Sequence, residues 1–219
     1  MSKLVWDKVG ERFYETGVDR GVLFVQDNTG AYKTGVAWSG LRSVNENPDG
    51  ADATDLYADN IKYAVMRSAE NYKATIGAYT APDEFDACDG YGELGDGVSV
   101  SQQTRVPFAL AYRTRVESDT MKGNQAYKIH IIYNATAAPS ERSHETVNDS
   151  PSAMELSWDI ETTPISVEGF EPTAKITIDS RKIKADALKQ IEDSLYGGEN
   201  KESTLLLPDA IAAIVKAAV

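Results

Sequence analysis

The chain has 219 residues, 42% of them hydrophobic, and 34 acidic against 22 basic side chains give a net charge of -12. That composition excludes a disordered chain, and with a pI near 4.6 it excludes a protein that holds nucleic acid by bulk charge. A single cysteine, Cys88, excludes an intrachain disulfide framework. The charged start MSKLVWDKVGERF reads as neither a signal nor a transit peptide, and no stretch approaches the roughly 20 apolar residues of a membrane span.

Residues 1–19 show no clear period. RGVLFVQD (20–27) predicts a short strand buried on both faces, DNTG (27–30) a turn, and VAWSGLRSV (36–44) a strand broken at Gly40. NENPDGADATDLYADN (45–60) carries acids, no base, and both Pro48 and Gly50. It predicts a long, irregular, exposed acidic loop. In ENYKATIGAYT (70–80), Tyr72, Ala74, Ile76 and Ala78 alternate with polar residues, the period of a strand. PDEFDACDG (82–90) predicts a short helix with Pro82 at its first turn, and GYGELGDG (90–97) a glycine-rich loop.

VSVSQQTRVPFALAYRTRVES (98–118) predicts two strands or one bent strand, with Phe108, Leu110, Tyr112, Thr114 and Val116 on one face. Lys122-Gly123-Asn124 predicts a tight turn. The following strand (126–136) places Tyr127, Ile129, Ile131 and Tyr133 together and His130 opposite, and residues 137–152 read as loop. Two strands carry the clearest core signal. Leu156, Trp158 and Ile160 share one face of 153–161, and Ala174, Ile176 and Ile178 share one face of 169–180. Over 184–196 the period changes to three and four, bringing Leu188, Ile191 and Leu195 onto one helical face closed by Gly197-Gly198. The apolar C-terminal segment, about 199–219, predicts a short helix from Asp209. No second core or internal repeat is legible. The expectation is one mainly β domain over residues 1–219, with strand faces that need another layer to cover them.

Catalytic chemistry finds little support. His130, His144 and Cys88 sit in separate elements, against a structural zinc site. No GxSxG elbow occurs, and the carboxylates of 83–96 lack calcium-loop order. No phosphate-binding glycine loop is present. We therefore expect no enzyme and no cofactor. Three features favour assembly: the acidic 45–60 segment, the apolar C-terminus, which a monomer must tuck away or present to a neighbour, and 11 tyrosines.

An ordered set of segments resembles the major tail proteins, or tail tube proteins, of long non-contractile-tailed bacteriophages. The set is GVAWSGL (35–41), ENYKATIGAYTAPDEF (70–85), GELGDGVSVSQQTRVPFAL (92–110), AYKIHIIYNA (126–135), WDIETTP (158–164), FEPT (170–173), KITIDS (175–180), LYGG (195–198) and LPDAI (207–211). The resemblance implies a β-sandwich or split β-barrel flanked by a helix, with a long inserted loop. It implies six copies closing into a ring, and rings stacking into a tube whose lumen passes double-stranded DNA at ejection. The implied partners are further copies, a tail tip or initiator complex, a tape measure protein and a tail terminator. The implied place is the virion tail, built in the host cytoplasm. The 45–60 segment, with Asp49, Asp52, Asp55, Tyr57 and Asp59, is the expected bridge between rings. Asp83, Glu84, Asp86, Asp89, Glu93 and Asp96 are expected to line the lumen, where negative charge disfavours DNA adhesion. The competing expectation is a monomeric β-sandwich binding or adhesion module with Tyr57 or Tyr91 on an aromatic platform.

Overall fold

The structure, a computed structural model, describes residues 3–120, 126–146 and 153–218; the expected turn at Lys122-Gly123-Asn124 lies outside them. Among the described residues the fold is mainly β, with three α-helices, and no sheet closes into a barrel.

The chain opens with β1 (Phe13–Val25), β2 (Val36–Trp38) and β3 (Leu41–Glu46). The Asp27 carboxylate makes the turn after β1, accepting hydrogen bonds from the backbone of Thr29 at 2.7 Å and Ala31 at 3.0 Å. Gly40 joins β2 to β3 at φ 82°, a left-handed backbone that favours glycine. A small pair, β4 (Asp49–Gly50) and β7 (Glu70–Asn71), encloses the hairpin β5 (Ala53–Ala58) and β6 (Ile61–Arg67). Then come β8 (Lys73–Ala78), a helical turn through α1 (Asp86–Asp89), and the hairpin β9 (Gly92–Gly95) and β10 (Val98–Val100). The long central strands are β11 (Phe108–Ser118) and β12 (Ala126–Ala137). They are followed by β13 (Leu156–Thr162), the hairpin β14 (Ile165–Val167) and β15 (Phe170–Thr173), and β16 (Lys175–Asp179). The chain ends in α2 (Ala185–Tyr196) and α3 (Pro208–Ala217), the latter with proline in its first turn.

All pairing in the main sheet is antiparallel, in the order β2-β1-β11-β12-β13-β8-β3, and β16 branches from β12. The branch has a local cause. Along one edge β12 pairs through Lys128–Ile132 with β16 and through Ala135–Ala137 with β13. Between the two lies Asn134, at φ 49° where the register against β11 shifts. A bulged residue in the left-handed region bends its strand, and asparagine tolerates that backbone better than most residues. Asn134 is also held in place. Its backbone N–H donates to the Tyr32 hydroxyl at 3.0 Å and its side-chain N–H to the Thr163 carbonyl at 3.2 Å.

The central strands are therefore covered on both faces. One cluster lies between them and β3, β8 and β13: Leu23, Phe108, Leu110 and Ile132 meet Ile76, Trp158 and Ile160. Its centre is aromatic. Trp158 packs edge-on against Phe85 at 5.1 Å and Trp38 at 5.7 Å, and Phe85 against Phe108 at 5.2 Å. Such pairs add about 0.5–1.5 kcal/mol each beyond burial. The second cluster lies on the other face, where Phe24, Ala111, Ile129, Ile131 and Tyr133 receive Ile191 and Leu195 of α2 and Ile211 of α3. Ile178 is buried there, and Ile176 and Leu188 pack against it half-buried. Polar ties add to the helix layer. The Tyr133 hydroxyl donates to the Leu206 carbonyl at 2.8 Å, and the Tyr127 hydroxyl to Glu192 at 2.8 Å.

Several expectations change. The chain forms two hydrophobic clusters instead of one, because the alanines alternating with Leu110 and Tyr112 are also buried. The first strand begins at Phe13, well before its apolar part. GYGELGDG is not a loop but the β9–β10 hairpin turning at Asp96-Gly97.

Trp158 is 1% exposed. Trp158→Ala should destabilise the isolated chain by about 3–5 kcal/mol, measured by urea unfolding. A near-zero change would contradict its central place in the first cluster.

Candidate assembly interface

The 45–60 segment is ordered, which corrects the expectation of an irregular loop. It runs from the end of β3 through β4 and β5, and the whole excursion to β7 is a two-stranded arm. The arm turns at Asp59 (φ 52°) and Asn60 (φ 63°). Two residues with positive φ make the tight turn whose twist matches a hairpin, and Asp and Asn are favoured there. At the base, Asp49 pairs with Lys73 at 2.9 Å; farther out, Asp55 pairs with Lys62 at 2.7 Å. The Asp52 carbonyl accepts from the Ser68 N–H at 3.3 Å.

Cross-strand register sorts the arm's side chains. Thr54 faces Met66, Leu56 faces Ala64, and Ala58 faces Ile61. Alternation puts Thr54, Leu56 and Ala58 on one side with Ala64 and Met66, and the one-residue register shift between Leu56 and Tyr57 brings Ile61, opposite Ala58, onto that side as well, so that five of the six are apolar. Leu56 is 40% exposed, Met66 58% and Ile61 63%. Tyr57 and Tyr63 are also exposed on the ribbon. A lone two-stranded hairpin is marginal in water, and this one lays a stripe of aliphatic side chains bare. The exposure is general: the chain presents 14405 Å² of accessible surface, where a compact monomer of its mass would present about 9,900 Å².

The acids of 83–96 do not lie on the long sheet. Asp83, Glu84 and Asp86 belong to the helical turn and Glu93 to β9. Together they edge a groove of about 690 Å³ whose lining includes Val25, Val36, Ala87 and Val98. Burial, then the neighbouring Asp83, raises the Asp86 carboxyl above its ordinary value. Asp96 is exposed at the tip of the β9–β10 hairpin. Asp89 is the correction in this set, since it is buried and structural. It accepts a hydrogen bond from the Trp158 indole N–H at 2.9 Å and pairs with Arg105 at 3.3 Å and with Arg142. Arg105 also donates to the Ala137 carbonyl at 3.0 Å, and Arg142 lies over the Tyr91 ring. Asp89 thus ties Trp158 to the loops at one end of the sheet. The sequence held no signal for this, because an acid at the end of a four-residue helix looks like any surface acid.

A second polar cluster is built around His130, on the face of β12 away from the helices. The imidazole stacks on Tyr112 at 4.8 Å and lies 2.9 Å from the Thr114 hydroxyl and 3.2 Å from that of Thr177. The Tyr112 hydroxyl donates to Glu46 at 3.0 Å, and Glu46 pairs with Lys175. Burial, with Lys175 adding to it, pushes His130 down to about 4. Cys88 is fully buried, and burial pushes its thiol up to about 12. Among the described residues no group of three or more His, Cys, Asp or Glu side chains is placed to hold a metal ion. No helix among them is long and apolar enough to cross a membrane.

Asp89→Ala leaves the buried Trp158 indole N–H without its acceptor and removes the carboxylate shared by two partly exposed guanidinium groups, and should cost about 1–3 kcal/mol in urea unfolding. An effect within about 0.5 kcal/mol would show Asp89 to be a surface acid after all. His130 stays neutral when folded, while in the unfolded chain it takes a proton near its ordinary value of 6.5. The unfolded state then binds more protons between about pH 6.5 and 4, so stability is lost as pH falls through that window. Wild type should lose more stability than His130→Gln between pH 7.5 and 5; parallel losses would refute the assignment. No protein-family model matches the chain, and a search of curated proteins gives no match.

Proposed function

We propose that the chain is a structural subunit of a phage tail tube, closing into hexameric rings that stack around a lumen through which the viral genome leaves. The observation that carries this reading is the arm of β5 and β6, whose Leu56, Ala58, Ile61, Ala64 and Met66 face is left uncovered by the chain's own fold. A stable interface takes about 800 Å² from each partner. The surface beyond that of a compact monomer, about 4,500 Å², has room for several such patches. The finer architecture in this reading is a split β-barrel, or sandwich, flanked by α2. Its free edges include β2 and β3 at the two ends of the path, the first half of β1, and β16, and pairing them with neighbours would remove exposed edges. The arm reaches the adjacent ring. The subunit would be made in the host cytoplasm, work in the virion tail without catalysis, and meet a tail tip or initiator complex, a tape measure protein and a terminator.

The exposure of Tyr57 (70%) and Tyr63 (73%) on the same arm favours a second reading, a monomeric binding or adhesion module that uses them as an aromatic platform.

Mass measurement with negative-stain electron microscopy over a concentration series separates the two. Rings or hollow tubes support the first, and a monomer that stays monomeric with tail-tip complexes added refutes it. Leu56→Asp with Met66→Asp should change subunit stability by no more than about 0.5 kcal/mol, because both sites are exposed. The same pair should abolish long tubes; unimpaired tube growth would sink the arm's role.

A further inference from the structure

Residues 3–9 are another apolar segment that the fold leaves bare. Leu4, Val5, Trp6 and Val9 are 63–77% exposed, and Lys3, Asp7 and Lys8 lie among them, Asp7 paired with Arg12 at 3.9 Å. Lys8 has an ion pair with Glu11 at 3.6 Å, in which both side chains are more than half exposed; such a pair contributes little. The first backbone tie to the body is the Gly10 N–H, which donates to Asp119 at 2.9 Å.

The groove between the 83–87 turn and the β9–β10 hairpin has the complementary character. Its lining offers Val25, Val36, Ala87 and Val98, and its acids outnumber its single cation, Lys33. At about 690 Å³ it accepts an indole and an aliphatic side chain together. In a chain of net charge -12, copies repel unless a segment bearing cations meets acids.

Chain length decides whose segment this is. The groove lies at the Val25 end of β1, and residues 3–9 precede its Phe13 end. A straight strand of the 13 residues of β1 spans about 40 Å, a length that its two register shifts, at Thr16/Val18 and Asp19/Val22, shorten by a few ångströms. Even fully extended, residues 4–12 reach about 32 Å. The segment therefore falls short of the groove of its own chain.

We propose that residues 3–9 of one copy lie in the groove of a second copy, with Trp6 against Val36 and Val98 and with Lys3 and Lys8 facing Glu84 and Glu93. Donor and acceptor are different surfaces at opposite ends of β1, so the contact closes reciprocally in an antiparallel pair and, repeated head to tail between parallel copies, builds a stack. The proposal rests on the assembly reading only in taking a second copy as the occupant, and it gives the 83–93 acids a role other than lining a lumen.

The probe is a fluorescent synthetic peptide, MSKLVWDKVGER, titrated by anisotropy against the dilute full-length chain. Saturable binding is expected, weakened at least tenfold by Glu84→Lys with Glu93→Lys in the chain and by Trp6→Ala in the peptide. Both chain substitutions are at exposed positions, and circular dichroism checks that the fold is kept. No binding, or binding indifferent to either change, overturns the proposal. Microscopy of the same wild-type protein separates this from the broader reading. Tubes without peptide binding overturn the proposal alone, and binding at the groove without rings or tubes supports it while overturning the tail-tube reading. Neither binding nor rings overturns both.

Discussion

Along a single edge, β12 is hydrogen-bonded to two different strands, β16 near its start and β13 near its end. The left-handed Asn134 between them makes this possible, because a flat strand would carry one partner along its whole edge. The rest of the architecture follows. β16 brings α2 and α3 over one face, and β13 brings β8 and β3 over the other. The shared strands are buried twice, which is why Ile129, Ile131, Ile132 and Tyr133 form a nearly continuous apolar run.

The parts of the fold that could be read from the sequence are those where periodicity and burial coincide. Leu156, Trp158 and Ile160 alternate with polar residues because only one face of β13 is covered. Ile191 and Leu195 recur at helical spacing for the same reason. The reading failed where burial does not follow a simple period. β11 is covered on both faces, but one face is lined by alanines, which do not announce a core. The arm was hidden by its composition: acids and glycine suggest a loop, yet Asp59-Asn60 between residues of alternating character is a two-residue turn signal. Asp89 was illegible in principle, since its partners Trp158, Arg105 and Arg142 are far away in sequence.

The polar groups of the interior divide by what they do to neighbours. Asp89 takes three donors and joins the aromatic centre of one cluster to surface loops, so its charge is compensated where it is buried. His130 is buried among hydroxyls and a tyrosine ring, where neutrality suits it. Of the apolar groups left outside, many lie on the arm and the N-terminal segment, on side chains such as Leu4, Trp6, Leu56, Ile61 and Met66.

The double pairing of β12 also has a mechanical side. A pull on α2 reaches β16, and a pull on β13 reaches β8; both are passed to the same backbone within a few residues of Asn134. The two layers can neither slide past each other nor hinge apart without breaking ladder hydrogen bonds to that strand. Under tension or bending the domain behaves as one stiff block, and compliance is left to the arm of β5 and β6 and to the N-terminal segment.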